Sequence, residues 1–105
     1  MQITDIKIRR TYQDTRLRAL VSVTVDGELA VHDIKVIEGP ERLFVAMPSR
    51  RDDSGAFRDI AHPITTAARR QLEDAILSAY QEHLAAQQAA QQLEEHLHAG
   101  QDAEE

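Results

Sequence analysis

Residues Leu17–Val36 read LRALVSVTVDGELAVHDIKV, and the fold follows from how this stretch pairs with itself. Leu17, Ala19, Val21, Val23 and Val25 fall on one face of an extended chain, with Arg18, Ser22 and Thr24 on the other and Leu20 as the interruption. A period of two is the pattern of a half-buried strand. Asp26-Gly27 then supplies residues that accept the positive φ needed at both central positions of a tight hairpin turn. Pairing outward from a two-residue turn sets Val25 opposite Glu28, Val23 opposite Ala30, Val21 opposite His32, Ala19 opposite Ile34 and Leu17 opposite Val36. The apolar faces coincide in this register, whereas a one-residue slip would carry Asp33 and Lys35 into the core. The same register places His32 on the apolar face.

On the amino-terminal side, Gln2 to Arg10 reads as a strand with Ile6 and Ile8 in phase and Ile3 out of phase, which predicts a bulge or bend near Thr4 and Asp5. On the carboxy-terminal side, Leu43 to Met47 and Ala56 to Ala61 read as two short strands, with Pro48 ending the first. Ser49 to Gly55 then forms a charged loop, so that Arg50 and Arg51 sit at a hairpin tip anchored by Phe44, Met47, Phe57 and Ile60. After His62-Pro63, Thr65 or Thr66 caps a helix whose apolar stripe is Ile64, Ala68, Leu72, Ala75, Ile76, Ala79, Tyr80 and Leu84. AAQQAAQQLEEHLHAG continues in strong helix formers to a stop at Gly100, giving about 35 residues and roughly 50 Å of helix. QDAEE at the end is expected to be disordered. The fold class is α+β, a small antiparallel sheet of about five strands followed by a long C-terminal helix. Residues 1–84 form the domain and residues 85–105 an Ala/Gln/Glu-rich helical extension.

Length and composition bound the function. A chain of 105 residues has a modest core and no room for a deep substrate cavity unless subunits share one, so a homo-oligomer is expected. The chain has no cysteine, which removes disulfides and thiolate zinc sites. MQITDIKIRR has no continuous apolar stretch of the kind found in signal peptides or membrane spans, and a cytoplasmic protein with no membrane partner is expected. The net charge of -6 is unevenly spread: residues 1–70 carry all 12 Lys/Arg against 10 Asp/Glu, and residues 71–105 carry none against 8. What a polyanion meets is the field within a Debye length, about 8 Å at physiological salt, so the first two-thirds of the chain can present a basic face.

Three constellations bear on chemistry. The basic set comprises Arg50, Arg51 and Arg58 around the predicted hairpin, Arg69 and Arg70 in the first turns of the helix, and Arg9, Arg10, Arg16 and Arg18 with Tyr12 around the first turn. Guanidinium forks suit phosphate oxygens and a helix start adds N–H donors. The competing reading is solvated surface, with Asp52 and Asp53 pairing Arg50 and Arg51. Tyr12, Phe44, Phe57 and Tyr80 are the only aromatics and at least two of them read as core, so a base-stacking platform is absent and phosphate contacts should dominate any nucleic-acid binding. The second constellation, His32, Asp33, Asp59 and His62, would suit acid–base or metal chemistry if gathered. A buried neutral His32 and a turn-fixing His62 are the commoner outcomes. With no placed nucleophile and no glycine-rich phosphate loop, no enzyme, cofactor or small-molecule substrate is expected. The third is Glu94–His98, EEHLH, where His96 and His98 point to different sides of a helix and read as a solvated end.

VHDIKVIEG (Val31–Gly39), LFVAMPSRR (Leu43–Arg51) and GAFRDIAHPI (Gly55–Ile64) resemble the signature blocks of the stage V sporulation protein G family, SpoVG, also called the septation regulator family. The resemblance runs from MQITDIKIRR to about Tyr80. It implies an antiparallel sheet with a carboxy-terminal helix, a homodimer joined through strand pairing, and a non-enzymatic regulator of cell division and sporulation that binds DNA or RNA. It assigns the nucleic-acid contacts to Arg50 and Arg51 after MPS and to Arg69 near the helix start. Family members often carry a lysine soon after the helix arginine, where this chain has Gln71 following Arg70. The tail after about Leu84 has no counterpart in that pattern, and its acidity would repel nucleic acid or serve assembly. The alternative function is a protein-interaction adaptor acting on division or sporulation machinery through the long helix.

Overall fold

The computed structural model of the chain describes residues 1–104, with side chains described through residue 94. Strands β1 (Ile3–Thr11), β2 (Leu17–Val25), β3 (Leu29–Glu38) and β4 (Leu43–Ala46) form an antiparallel sheet in the order β1-β2-β3-β4. Strands β5 (Ser49–Arg51) and β6 (Phe57–Asp59) form a second, two-stranded sheet, and helix α1 (Thr66–Glu104) follows. The class is α+β, with six strands in two sheets in place of about five in one.

The Asp26-Gly27 turn forms as its residues predict: φ is 54° at Asp26 and 66° at Gly27, and Glu28 N donates to Val25 O at 3.0 Å. The expected register does not hold beyond it. Val25 pairs with Leu29 and Val23 with Val31, one residue further on, and Val21 pairs with Ile34 and Ala19 with Val36, two residues further on. The second shift is a bulge at His32-Asp33 opposite Ser22, with Asp33 at φ 63°. Its physical reason is on the core face: the simple register would place Ala30 and His32 inward, whereas the bulged strand turns Val31 inward and keeps Ile34 and Val36 there. His32 is thereby expelled from the apolar face to an exposed position, correcting its predicted burial. Asp is among the few non-glycine residues that accept a left-handed backbone.

In β1 the predicted irregularity at Thr4 is present, and a second falls at Arg9. The core is Ala19, Val21, Val23, Ile34, Val36 and Val45 from the sheet and Met47 just after β4, closed by Leu72, Ile76 and Tyr80 of α1. Each fully buried aliphatic side chain contributes about 1.5–3 kcal/mol. The helix therefore covers one face of the sheet and leaves the other open. Ile64, assigned to the stripe from sequence, is 88% exposed because it precedes the helix.

Thr65 is the cap: its Oγ1 accepts from Ala68 N at 3.0 Å, and its carbonyl accepts the first helical bond from Arg69 N. Thr65→Ala is expected to destabilise the protein by about 1 kcal/mol, read from denaturant midpoints at unchanged m, while Thr65→Ser stays near wild type. The helix passes through Gly100 to Glu104, which overturns the predicted stop. Beyond Leu84 the described side chains are all exposed, and the molecule is 64 Å long against 32 and 24 Å. The side chains of His96, His98 and QDAEE, and all of Glu105, lie outside the described residues, and with them the expectations made there. Among the described residues no helix is long and apolar enough to cross a membrane.

Candidate nucleic-acid interface

Pro48 ends β4 as predicted, but the chain re-enters strand conformation at once. Ser49 pairs with Asp59, Arg50 with Arg58 and Arg51 with Phe57, and Ile60 N donates to Pro48 O at 2.7 Å to close the base of the hairpin. Arg50 and Arg51 therefore lie in a strand, not in the tip. The cause is Asp52, whose side chain organises a turn short enough for pairing to reach Arg51. Asp52 Oδ1 accepts from Ser54 N (2.9 Å), Ser54 Oγ (2.6 Å) and Ala56 N (3.0 Å), and Oδ2 accepts from Arg58 Nε (2.6 Å). The backbone adds Asp52 N to Ala56 O, with Gly55 at φ 87° completing the turn.

The anchoring residues also differ from expectation. Met47 is buried, but Phe44 is partly open, Phe57 is 70% exposed and Ile60 is 65% exposed. Phe57 is instead the platform for Arg51, whose guanidinium carbon lies 5.2 Å from the ring centroid. Of the aromatics, Tyr80 alone belongs to the core.

Placing Arg50 directly opposite Arg58 brings like charges together, which disfavours the hairpin. Asp52 offsets part of this by pairing Arg58, and so does not pair Arg50 or Arg51 as a solvated-surface reading expects. Among the described residues Arg50, Arg51 and Arg70 have no ion-pair partner, while Arg69 Nη1 meets Glu73 Oε1 at 3.0 Å one helical turn on. Such an exposed pair is weak enough to be exchanged for a phosphate. Six residues, 60–65, separate β6 from α1, so the hairpin arginines and the helix-start arginines follow one another along one exposed segment.

The hydrogen bonds from Ser54 and then Arg58 hold the Asp52 carboxyl at about 2, below its usual 3.8. A depressed carboxyl stabilises the fold above its unfolded value and loses that contribution as pH falls through its folded value. The turn is thus expected to remain intact down to about pH 3.8 and to open toward about pH 2, and Asp52→Asn should open it at neutral pH. Amide exchange at Ser54 and Ala56 reads both effects.

Three arginines of the amino-terminal set are engaged elsewhere. Arg18 pairs with Glu38, Arg16 Nε lies 3.4 Å from Glu38 O, and Arg10 sits 5.3 Å from the Tyr12 ring centroid. The His32, Asp33, Asp59, His62 set is not gathered: Asp59 is in β6, His62 Nδ1 lies 3.1 Å from Pro63 O at the strand-to-helix corner, and His32 and His62 line different hollows. Sequence reasoning missed the Asp52 clasp, whose signal was the D-D-S-G run between two short strands.

The family model of SpoVG matches residues 1–82. The chain belongs to the SpoVG family. It is 53% identical over 81 residues to "Putative septation protein SpoVG 1" of Listeria monocytogenes serotype 4b, covering 77% of this chain and 79% of the relative. It is 56% identical over 81 residues to "Putative septation protein SpoVG" of Clostridium acetobutylicum, covering 77% and 85%. The protein of the same name in Desulforudis audaxviator is 51% identical over 87 residues, covering 83% and 99%. The SpoVG match takes in both sheets and α1 as far as Glu82, so Arg50, Arg51, Arg58, Arg69 and Arg70 all lie within it, and the projecting part of the helix lies beyond. Gln71, which follows Arg70, donates from Nε2 to Met1 O at 2.8 Å and ties the amino terminus to the helix.

Proposed function

We propose that this chain is a cytoplasmic, non-enzymatic regulator of septation and sporulation-type gene expression that binds DNA or RNA, acting as a homodimer. The relatives are named for septation, and the role is extended to this chain on that ground. The observation that carries nucleic-acid binding is the exposed β5–β6 hairpin, where Arg50 faces Arg58 and Arg51 stacks on Phe57, with Arg69 and Arg70 next along the chain in the first turns of α1. Like charges held side by side on a small, open hairpin are more favourable when a polyanion neutralises them. Contacts to the phosphate backbone would position the protein without reading sequence.

An open edge strand of a small sheet needs a partner or protection, and β1 and β4 are the edges here. Pairing across a two-fold axis would place two basic hairpins on one molecule and raise avidity for a polyanion. A second reading, a protein-interaction adaptor, is favoured by the part of α1 beyond Leu84, whose described side chains are all exposed. Fluorescence anisotropy with labelled duplex DNA and single-stranded RNA separates the two. Binding at low salt that weakens at moderate salt supports the regulator, and failure to bind either probe at low salt makes the helix the place to look for a partner.

A further inference from the structure

The open face of the four-stranded sheet carries one polar side chain that is not open. Ser22, in the middle of β2, is 7% exposed, because Arg9 of β1 and His32 of β3 close over it from either side. Arg9 Nε donates to Ser22 Oγ at 2.9 Å, and Ser22 Oγ lies 2.8 Å from His32 Nδ1. Both neighbours reach it through a bulge, at Arg9 in β1 and at His32-Asp33 in β3. Bulges re-aim side chains, and two of them flanking one serine bring together groups that regular strands would have kept apart.

The Ser22 hydroxyl has two acceptor lone pairs and one donor hydrogen, so beside the bond from Arg9 it either donates to His32 Nδ1 or accepts from it, according to the tautomer. A bound anion selects the form with the imidazole proton on Nε2, in which Ser22 donates to Nδ1. The outward-facing groups are therefore donors only: His32 Nε2–H and the terminal nitrogens of Arg9, which has no ion-pair partner among the described residues. Ser22 Oγ is covered and cannot attack a substrate, so the arrangement is a binding device and not a nucleophile with its base.

The hollow above them has a volume of about 390 Å³ and is lined by Arg9, Leu20, Val21, Ser22, His32 and Asp33. A second hollow shares Leu20 and Asp33 and continues past Lys35 to Ser49, the first residue of β5. We infer that the Arg9–Ser22–His32 cluster is an anion site for a phosphate group. A guanidinium fork and an imidazole N–H held by a buried hydroxyl are a donor set preorganised for phosphate oxygens. The shared wall with the groove leading to the arginine hairpin makes a nucleic-acid backbone the expected source. That assignment of the source rests on the proposed function, while the site itself does not.

Asp33 lines both hollows and opposes an anion. Asp33→Asn, which keeps a residue tolerant of positive φ at the bulge, is expected to tighten phosphate binding severalfold.

The test is NMR on the full chain, following the Arg9 Nε–H and His32 imidazole signals during titration with inorganic phosphate, against sodium chloride at equal ionic strength, and then with a short oligonucleotide. Saturable shifts with phosphate that disappear in Ser22→Ala are expected, with the Val21 and Ile34 amide signals reporting an intact sheet. Shifts with both probes assign the site to the nucleic-acid backbone, and shifts with phosphate alone assign it to a free phosphate ligand. Shifts no larger than those of chloride for both probes, or shifts that persist in Ser22→Ala, overturn the site. Arg9→Ala, read at His32, is a second variant at an exposed position. Replacing Arg50, Arg51 and Arg69 leaves the phosphate titration unchanged, so failure of the hairpin reading and failure of this one are separate results.

Discussion

Replacing Arg50, Arg51 and Arg69 together by alanine is expected to lower affinity for duplex DNA or RNA by two to three orders of magnitude near 0.1 M salt, with little change in stability. The magnitude follows from counterion release. Each phosphate neutralised contributes about 0.9 units to the slope of log affinity against log salt on duplex DNA, or roughly 0.9 log units of affinity at 0.1 M for each lost contact. The folded state should tolerate the change because all three side chains are exposed. Removing Arg50 relieves the repulsion with Arg58, and removing Arg69 costs only the exposed pair with Glu73. Removing Arg51 uncovers Phe57 and forfeits a cation–π contact worth about 0.5–1 kcal/mol. Unchanged binding in a folded triple variant would move the interface away from the hairpin.

The second large effect is on stability. Ile76 is fully buried where α1 meets the sheet, and Ile76→Ala is expected to cost about 3–4 kcal/mol, from lost transfer energy and from the cavity left between rigid elements. In a domain of this size such a loss lowers the melting temperature by more than about 10 °C. Ile34→Ala, on the facing strand, should cost about as much. Ile64→Ala is the control: although sequence periodicity placed it in the same stripe, its 88% exposure predicts a change within about 0.5 kcal/mol. Equal losses at Ile64 and Ile76 would mean that the helix does not dock on the sheet through Leu72, Ile76 and Tyr80.

What the sequence made legible was local chemistry with one solution. Asp26-Gly27 announced a turn with two left-handed residues, Ile3 out of phase announced the bulge at Thr4, and the Thr65-Thr66 pair announced the helix start, with Thr65 the one that caps it. The core face of β2 was legible because its alternation tolerates only one side inward. The partner register was not, because a bulge is selected by how a whole strand packs. Ala30 and His32 could alternate inward on paper, and only the competition with Val31 for the core favours an extra residue at His32-Asp33.

At the candidate site the arginines were legible and their scaffold was not. Pro48 correctly ended β4, yet nothing local shows that Ser49–Arg51 would pair with Phe57–Asp59 in a separate sheet, since that pairing depends on one carboxylate collecting several donors. The Arg9–Ser22–His32 cluster was hidden for a related reason, since it exists only because two bulges on different strands converge on one residue.

The measurement that bears most directly on the account is the salt dependence of nucleic-acid affinity for wild type beside the Arg50→Ala, Arg51→Ala, Arg69→Ala variant. The account predicts steep linear weakening of wild type in log–log form, and a variant slope shallower by roughly 2–3 units on duplex DNA. Affinity that barely responds to salt, or identical slopes for the two proteins, would contradict it.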